Sequence, residues 1–315
     1  MISVSIQGQM KSTSQWLTLA RFADVSGFDT LYVADHPGTS PAPFVSLSAA
    51  AVVTERIRLG TCVLNAGRWE PFVLASEIAT LDVLSGGRLL LGIGAGHTPA
   101  EWSMVGLEIP LPVDRVARLV EVVEAVRMLL RGDQVSMSGD YIKMSDALLN
   151  VPSPIQTPIP LMVGGNGRRL LTFAAENADV VGVSGLSKTL ADGHSHEVDW
   201  HSDSLNRTFD LVRSASGARG RNVSIEALVQ HVEFTEDREK FASKIAHLIE
   251  GASAQDLLTS PFMWIGTPAT IVQQLRDFEQ RWGISRYVVR EDAASQAVEI
   301  LEMLGSESRV EYPND

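Results

Sequence analysis

The segment GFDTLYVADH, residues 27–36, indicates the fold class of this chain. Gly27 follows a helical repeat of apolar residues and suits the left-handed cap with which many helices end. Residues 30–34 form an apolar run, which is typical of a strand buried on both faces. Asp35 and His36 follow that strand directly. A strand covered on both faces and entered from a helix predicts an α/β fold with a parallel sheet.

The same unit recurs along all 315 residues. Each predicted strand is followed by a helical pattern, and the strands cover residues 2–7, 30–34, 57–64, 88–96, 160–163, 179–183, 224–233 and 284–290. Eight β/α units in order predict a (β/α)8 TIM barrel. A small hairpin at 134–144, a polar irregular loop at 186–203 and a segment at 252–262 interrupt the pattern. We therefore expect one domain over residues 1–315, with insertions after strands 4, 6 and 7.

Composition narrows the classes of function. Hydrophobic residues make up 45% and charged residues 20% of the chain, which is ordinary for a soluble protein with a large core. The net charge of -12 without a basic stripe argues against nucleic-acid binding. We expect no signal peptide and no membrane span, because no uncharged apolar run reaches about 18 residues. The single cysteine, Cys62, excludes an internal disulfide and favours a cytoplasmic location.

Active sites of such barrels lie at the carboxyl ends of the strands. There, the Asp35-His36 pair suits proton transfer near neutral pH; the alternative is a turn cap beside a surface histidine. Asn65, after strand three, is placed to hydrogen-bond a polar ligand or to cap a turn. Cys62 fits a small core residue better than a nucleophile.

Strand four ends in the segment GIGAGH, residues 92–97. Its alternating glycines, Gly92, Gly94 and Gly96, project from one face of the strand. Such glycines mark the close approach of a ligand, here a planar ring, or else a barrel layer of small residues. His97 at the same mouth is a second candidate for acid–base work.

Strand five leads into the segment VGGNGRR, residues 163–169. A glycine loop that opens a helix exposes backbone N–H groups, so Gly164, Gly165 and Asn166 form a candidate phosphate site; the alternative is a plain turn. After strand six, Ser184 and Gly185 add a hydroxyl and a close backbone approach. The insertion at 186–203 carries the set His194, His196 and His201. Their spacing matches no standard zinc site, so we expect a solvated loop and no metal.

Several of these segments together resemble the luciferase-like flavin and deazaflavin oxidoreductases. They are residues 27–36, 58–61, 79–88, 91–96, 160–165 and 266–268. The resemblance runs from residue 2 to residue 304 and is greatest for the members that use coenzyme F420. It implies a luciferase-like barrel, a deazaflavin coenzyme and a homodimer.

The resemblance also implies roles for individual residues. Asp35 and His36 would face the coenzyme ring and the substrate, and Asn65 would hydrogen-bond the coenzyme. A cis peptide between Cys62 and Val63 would support the back of the ring. The remaining implied contacts are the strand-four rim of Gly94, Gly96 and His97 and the phosphate-tail segments Gly164, Gly165, Asn166, Ser184 and Gly185. The sugar-phosphate dehydrogenases of this group carry glutamate in place of His97, which argues against a sugar-phosphate substrate.

The leading hypothesis is hydride transfer between F420 and a small organic substrate, with reduction of a C=C or C=N bond. His36, together with His97, would move the accompanying proton, and residues 186–203 would act as a lid. The alternative is an FMN-dependent monooxygenase that uses oxygen. A third hypothesis is a coenzyme-binding or structural barrel without turnover.

Overall fold

The fold is a ring of parallel strands surrounded by helices, seen here in a computed structural model. It describes residues 1–193, 196–218, 220, 223–249 and 251–307. The strands are β1 (Ser3–Gln7), β2 (Thr30–Val33), β3 (Arg58–Thr61), β4 (Leu64–Asn65), β5 (Leu89–Gly94), β6 (Val135–Ser138), β7 (Lys143–Ala147), β8 (Leu161–Gly164), β9 (Val180–Val183), β10 (Leu186–Thr189), β11 (His196–Val198), β12 (Ser224–Leu228), β13 (His231–Phe234), β14 (Met263–Gly266) and β15 (Ile284–Arg290).

Helices follow most of the strands. They are α1 (Thr13–Val25), α2 (Pro43–Ala51), α3 (Pro71–Leu84), α4 (Pro99–Ser103), α5 (Pro112–Leu130), α6 (Arg168–Asn177), α7 (Ser202–Gly217), α8 (Arg238–Ala246), α9 (Ala254–Leu258), α10 (Pro268–Trp282) and α11 (Ala294–Glu307), with a 3₁₀ turn at Glu291–Ala293. Among the described residues, no helix is both long and apolar enough to cross a membrane.

The main sheet closes on itself. Its strand order is β3-β2-β1-β15-β12-β9-β8-β5-β4, and β3 pairs with β5 to complete the ring. These pairings are parallel, as where Leu59 of β3 lies opposite Leu89 of β5. Because β3 and β4 are two halves of one strand, the barrel has eight strands. The predicted (β/α)8 barrel is confirmed.

The barrel interior is lined mainly by apolar side chains and also holds a buried carboxylate. Tyr32, Met162 and Val288 belong to its buried cluster. Glu226 on β12 is 2% exposed and accepts from Arg286 Nε at 3.0 Å and from the Tyr32 hydroxyl at 3.1 Å. Arg286 also contacts Asp29 at 2.5 Å. The buried carboxylate therefore has a cationic partner, as such groups require.

Two of the predicted insertions contain antiparallel hairpins. The hairpin at 134–144 is confirmed as the antiparallel pair β6–β7. The irregular loop predicted at 186–203 is wrong, because β10 and β11 form a second antiparallel hairpin there. Its seven paired or bulged residues are too few and too polar to show a clear alternation. His194 lies outside the described residues.

The predicted seventh strand, 224–233, is two strands. β12 stays in the barrel, whereas β13 leaves it and pairs in parallel with β14. The bend lies between them, where Val229 N–H donates to Val288 O and Gln230 N–H donates to Phe262 O, both at 2.8 Å. Apolar residues occur on both sides of the bend, so the local sequence pattern does not mark this change of partner. β14 itself was missed because it directly follows the predicted insertion at 252–262.

Candidate active site

A cavity of about 680 Å³ opens at the carboxyl ends of the barrel strands. It is in the usual size range for small-molecule sites. The predicted site residues that line it are Asp35, His36, Cys62, Val63, Asn65, Gly94, Gly96, His97, Gly164, Gly165, Asn166 and Ser184. Gly185 does not line it; this residue has φ +69° and lies against Phe262. The structure therefore brings together all but one of the predicted residues.

A bulge between β3 and β4 forms one wall of the cavity. The Cys62–Val63 peptide bond is cis, as the resemblance implies. Gln7 Nε2 donates to the Cys62 carbonyl oxygen at 2.9 Å. Burial, followed by the nearby Glu226, raises the pKa of the Cys62 thiol, which disfavours a thiolate nucleophile.

The glycines around the bulge make room for protein atoms. A Cβ at Gly94 would lie 2.8 Å from one Val63 methyl, and a Cβ at Gly164 would lie 2.9 Å from the other. Gly92 faces the Thr61 carbonyl, and a Cβ at Gly96 would overlap the Asn65 amide. The interpretation of the strand-four glycines as a direct seat for a planar ring is thus corrected, because Val63 and its neighbours occupy that space.

Asp35 organises the segment after the bulge. Its Oδ2 accepts from the Asn65 backbone N–H at 3.1 Å and from Trp69 Nε1 at 2.9 Å. Asn65 is 4% exposed, and its Oδ1 accepts from Gly67 N–H at 2.9 Å. Its Nδ2 is buried and has no acceptor among the described residues. An unpaired buried donor at a cavity wall fits a ligand that carries carbonyl oxygens.

His36 pairs with a carboxylate that sequence reasoning missed. His36 Nδ1 lies 2.5 Å from Oε1 of Glu101, which is 4% exposed, and the His36 side chain is 45% exposed. A carboxylate at Nδ1 holds the proton there and leaves Nε2 to accept or release another. Glu101 lies in the first turn of α4, behind Thr98-Pro99. That pair has the same residue types as Thr267-Pro268 and could have revealed the helix.

His97 lines the cavity and also packs against the insertion hairpin. Its ring meets the ring of His196 on β11 edge-on, with centroids 4.3 Å apart. Desolvation, then His196 and His36, lower the pKa of His97 to about 4. His201 contacts Asp256 instead, at 3.5 Å. Among the described residues, no group of three histidine, cysteine or acidic side chains is placed to hold a metal.

We expect His97 to stay neutral down to about pH 5. An NMR titration of its imidazole should show a midpoint near 4, and His196→Gln should raise that midpoint because a cationic neighbour is removed. Since the unfolded chain binds this proton more tightly, stability is lost as pH falls from 6.5 towards 4. A midpoint near 6.5 in the unmodified protein would contradict the expectation.

The glycine loop after β8 opens a helix, as predicted. α6 begins after Gly167, which has φ +87° and provides no side-chain cap. Asn166 Nδ2 donates to Leu186 O and so ties the loop to the insertion hairpin. Arg115 is the cation that lines the cavity near β5, and it donates to the carbonyl oxygens of Gly96 and Pro110.

A closed β/α barrel with a partly polar cavity at this face defines a class of small-molecule-binding proteins. Within that class, the chain belongs to the luciferase-like monooxygenase family, whose sequence model matches residues 3–194. The resemblance found in the sequence is therefore confirmed.

Two of the similar proteins are different kinds of enzyme. The 4-hydroxyprotoasukamycin monooxygenase of Streptomyces nodosus subsp. asukaensis is 35% identical over 163 residues, or 50% of this chain and 43% of that protein. The F420-dependent glucose-6-phosphate dehydrogenase of Amycolatopsis mediterranei is 32% identical over 165 residues, or 50% and 49%. The chain thus matches about half the length of these relatives.

A third relative matches over most of the chain. The 5,10-methylenetetrahydromethanopterin reductase of Methanopyrus kandleri is 27% identical over 325 aligned residues, which cover 92% of each protein. The solved F420-dependent tetrahydromethanopterin reductase from the same organism superposes with a TM-score of 0.75 at 20% identity, covering 95% of this chain and 96% of that one. The superposition shows the shared fold.

Proposed function

We propose that this chain is an F420-dependent oxidoreductase that transfers a hydride between the deazaflavin and a small organic substrate, reducing a C=C or C=N bond. The observation that carries the proposal is the His36–Glu101 pair, which faces the same cavity as the cis bulge. The F420-dependent relatives support the choice of coenzyme. When bound, the deazaflavin supplies a two-electron hydride carrier.

The chain's own residues fit such a coenzyme on one side of the cavity. Asn65 Nδ2 would donate to a ring carbonyl, and the bulge at Cys62 and Val63 would support the ring. The backbone around Gly164 to Asn166 would receive a phosphate at the start of α6. Arg115 lines the cavity and would add a positive charge there, whereas Arg168 and Arg169 at the start of α6 do not line it.

His36 would manage the proton. With Glu101 holding Nδ1, Nε2 can deliver a proton to the substrate or remove one as the hydride moves. Glu101 also keeps the imidazole ring in one orientation, so it acts through His36. The lowered pKa of His97 argues that His97 serves as a neutral contact and not as the acid.

A flavin monooxygenase is the second candidate. The family's own description and the Streptomyces monooxygenase favour it. Its coenzyme, FMN, presents the same carbonyl-bearing ring edge and a phosphate, so the same residues would hold it. A barrel that binds a coenzyme without turnover is the third candidate, and it predicts binding with no acceptor reduced.

Titration of one preparation with F420 and with FMN separates the candidates. We expect F420 to bind at least tenfold more tightly than FMN, measured by the change in coenzyme fluorescence.

The Arg115→Gln variant should weaken coenzyme binding about tenfold or more, because the cation near the proposed site of the coenzyme phosphate is lost. Arg131→Gln is the matched control, since Arg131 is 57% exposed and pairs with Asp133 on the surface. Tight FMN binding with no response to F420 would instead select the monooxygenase.

The assembly and location of the protein are proposals as well. A homodimer would cover exposed apolar side chains such as Val45 and Val52 near α2 and Phe72 and Val73 on α3. We also propose a cytoplasmic protein that acts on small molecules and does not bind nucleic acid.

A further inference from the structure

A row of hydrogen-bonded side chains crosses the cavity on the side away from β5. Gln7 Nε2 donates to Cys62 O at 2.9 Å, and Gln7 Oε1 accepts from Arg290 Nη1 at 3.2 Å. Arg290 Nη2 donates to Gln230 Oε1 at 3.3 Å, and Gln230 Nε2 donates to Ser184 O at 3.1 Å. We call Gln7, Arg290 and Gln230 the arginine belt. It links the bulge to the end of β9 across the ends of β1, β15 and β12.

The direction of the hydrogen bonds in the belt is fixed by the backbone carbonyls at its two ends. Each glutamine uses its NH₂ group on a backbone carbonyl, so its oxygen is the atom left for Arg290. The guanidinium is therefore held by two neutral acceptors. A guanidinium carries five N–H donors in a rigid fork, so donors are left over for a ligand. Such a cation is positioned before any ligand arrives.

Acidic residues near the belt have other partners. No ion pair between Arg290 and a carboxylate occurs within the described part of the chain. Glu291, the next residue, accepts from Lys11 Nζ at 2.7 Å and from Gln9 N–H at 2.9 Å. Glu291 and, more weakly, Asp292 raise the pKa of Lys11. The positive charge of Arg290 thus has no carboxylate in direct contact among the described residues.

The place of Arg290 in the barrel separates it from the proposed coenzyme contacts. Those contacts lie at the bulge between β3 and β4, to which Gln7 of the belt donates, and at the ends of β4, β5 and β8. In the strand order, β15 is four strands from β5 in either direction, so Arg290 lies across the mouth from β5. His36, after β2, lies between the two sides. Leu228 and Val288 line the cavity on the same side as Arg290 and make that side partly apolar.

We propose that Arg290 binds an anionic oxygen group of the substrate, so that the substrate is a small organic acid with an apolar body. The proposal rests on the proposed function in one respect, which is that the coenzyme occupies the side of the cavity across from Arg290. The arginine–carboxylate pair can be bidentate, which would orient the substrate towards His36. The binding test below needs no coenzyme, so its failure is distinct from failure of F420 binding.

Benzoate and benzamide form a suitable pair of probes, because they share size and shape and differ in charge. Calorimetric titration of the coenzyme-free protein in a chloride-free buffer should show benzoate binding at least tenfold more tightly than benzamide. Arg290→Gln should weaken benzoate binding at least tenfold and leave benzamide binding unchanged. Arg290→Lys should recover part of the benzoate affinity, since the charge is kept and the fork is lost.

Two further measurements separate the alternatives. Arg131→Gln is the matched control, because Arg131 is paired with Asp133 on the surface outside the cavity, and it should leave benzoate binding unchanged. Equal binding of the two probes, absence of benzoate binding, or unchanged benzoate affinity in Arg290→Gln would each overturn the proposal. If Arg290→Gln instead weakens F420 binding and spares benzoate, the cation serves the coenzyme and the proposal is wrong. Benzamide binding reports that each variant retains a folded cavity.

Discussion

Replacement of His36 by alanine is expected to lower kcat by about 10²–10⁴-fold, the usual contribution of a positioned acid or base. The His36 imidazole lines the cavity, and its Nδ1 lies 2.5 Å from Oε1 of the buried Glu101 carboxylate. Removing it takes away the group that would hold the proton, while Asn65 and the bulge remain. We therefore expect the F420 dissociation constant to change less than threefold. Steady-state rates and a fluorescence titration on the same preparation measure the two effects.

Glu101→Gln distinguishes a positioning role from a structural one. The amide still contacts Nδ1 but carries no charge, so kcat should fall less than in the alanine variant. His231→Ala is the control, because His231 lies on β13 outside the barrel and stacks on Phe241. Equal kcat in the His36→Ala variant and the unmodified protein would remove His36 from the mechanism.

Gly92→Ala is expected to destabilise the protein by about 3 kcal/mol or more, or to prevent folding. A Cβ there would overlap the Thr61 carbonyl oxygen and lie 2.7 Å from the Met162 methyl. Thr61 cannot withdraw easily, since its hydroxyl donates to Gly92 O at 2.7 Å and accepts from Gly92 N–H at 3.0 Å. Overpacking of a rigid core typically costs about 1–3 kcal/mol, and a backbone clash lies at or above that range. Urea unfolding measures the loss.

Gly217→Ala is the matched control for the same substitution. Gly217 ends α7, has no heavy atom within 4 Å of an added Cβ, and lies outside the barrel. Alanine there should leave the free energy of unfolding unchanged or raise it by up to about 1 kcal/mol, because alanine is the better helix former. Equal free energies of unfolding for Gly92→Ala and Gly217→Ala would contradict this expectation. They would mean that Thr61 on β3 can move away from position 92 on β5 despite its hydrogen bonds.

Local patterns were sufficient to predict the barrel. Each buried strand is marked by its own apolar run, as in residues 30–34, and the rule that sites lie at strand ends then selected Asp35, His36 and Asn65. The rule needs no knowledge of long-range contacts. For this reason the mouth of the barrel was predicted more completely than the insertions, where β13 changes partner without any local signal.

Contacts between distant residues could not be predicted in this way. Glu101 lies 65 positions from His36, and Arg290 lies 283 positions from Gln7. Each looks like an ordinary surface residue until the strands close. The glycines of strand four were correctly predicted to lie where space is limited. The side chain that limits the space at Gly94 is Val63, and no spacing in the sequence reveals that contact.

The bend after β12 has a consequence for how this protein can diversify. Gln230 stands at the point where the chain leaves the barrel, and its backbone N–H is bonded to Phe262 just before β14. The excursion between them, residues 231–262, joins the barrel at this junction and also contacts its surroundings through Asp256 and Leu258. Substitutions or length changes in the excursion can therefore shift Gln230, and with it Arg290, without disturbing the opposite side of the mouth. Under the proposal that Arg290 binds the substrate, such changes would alter which acid is accepted and leave the proposed coenzyme contacts unchanged.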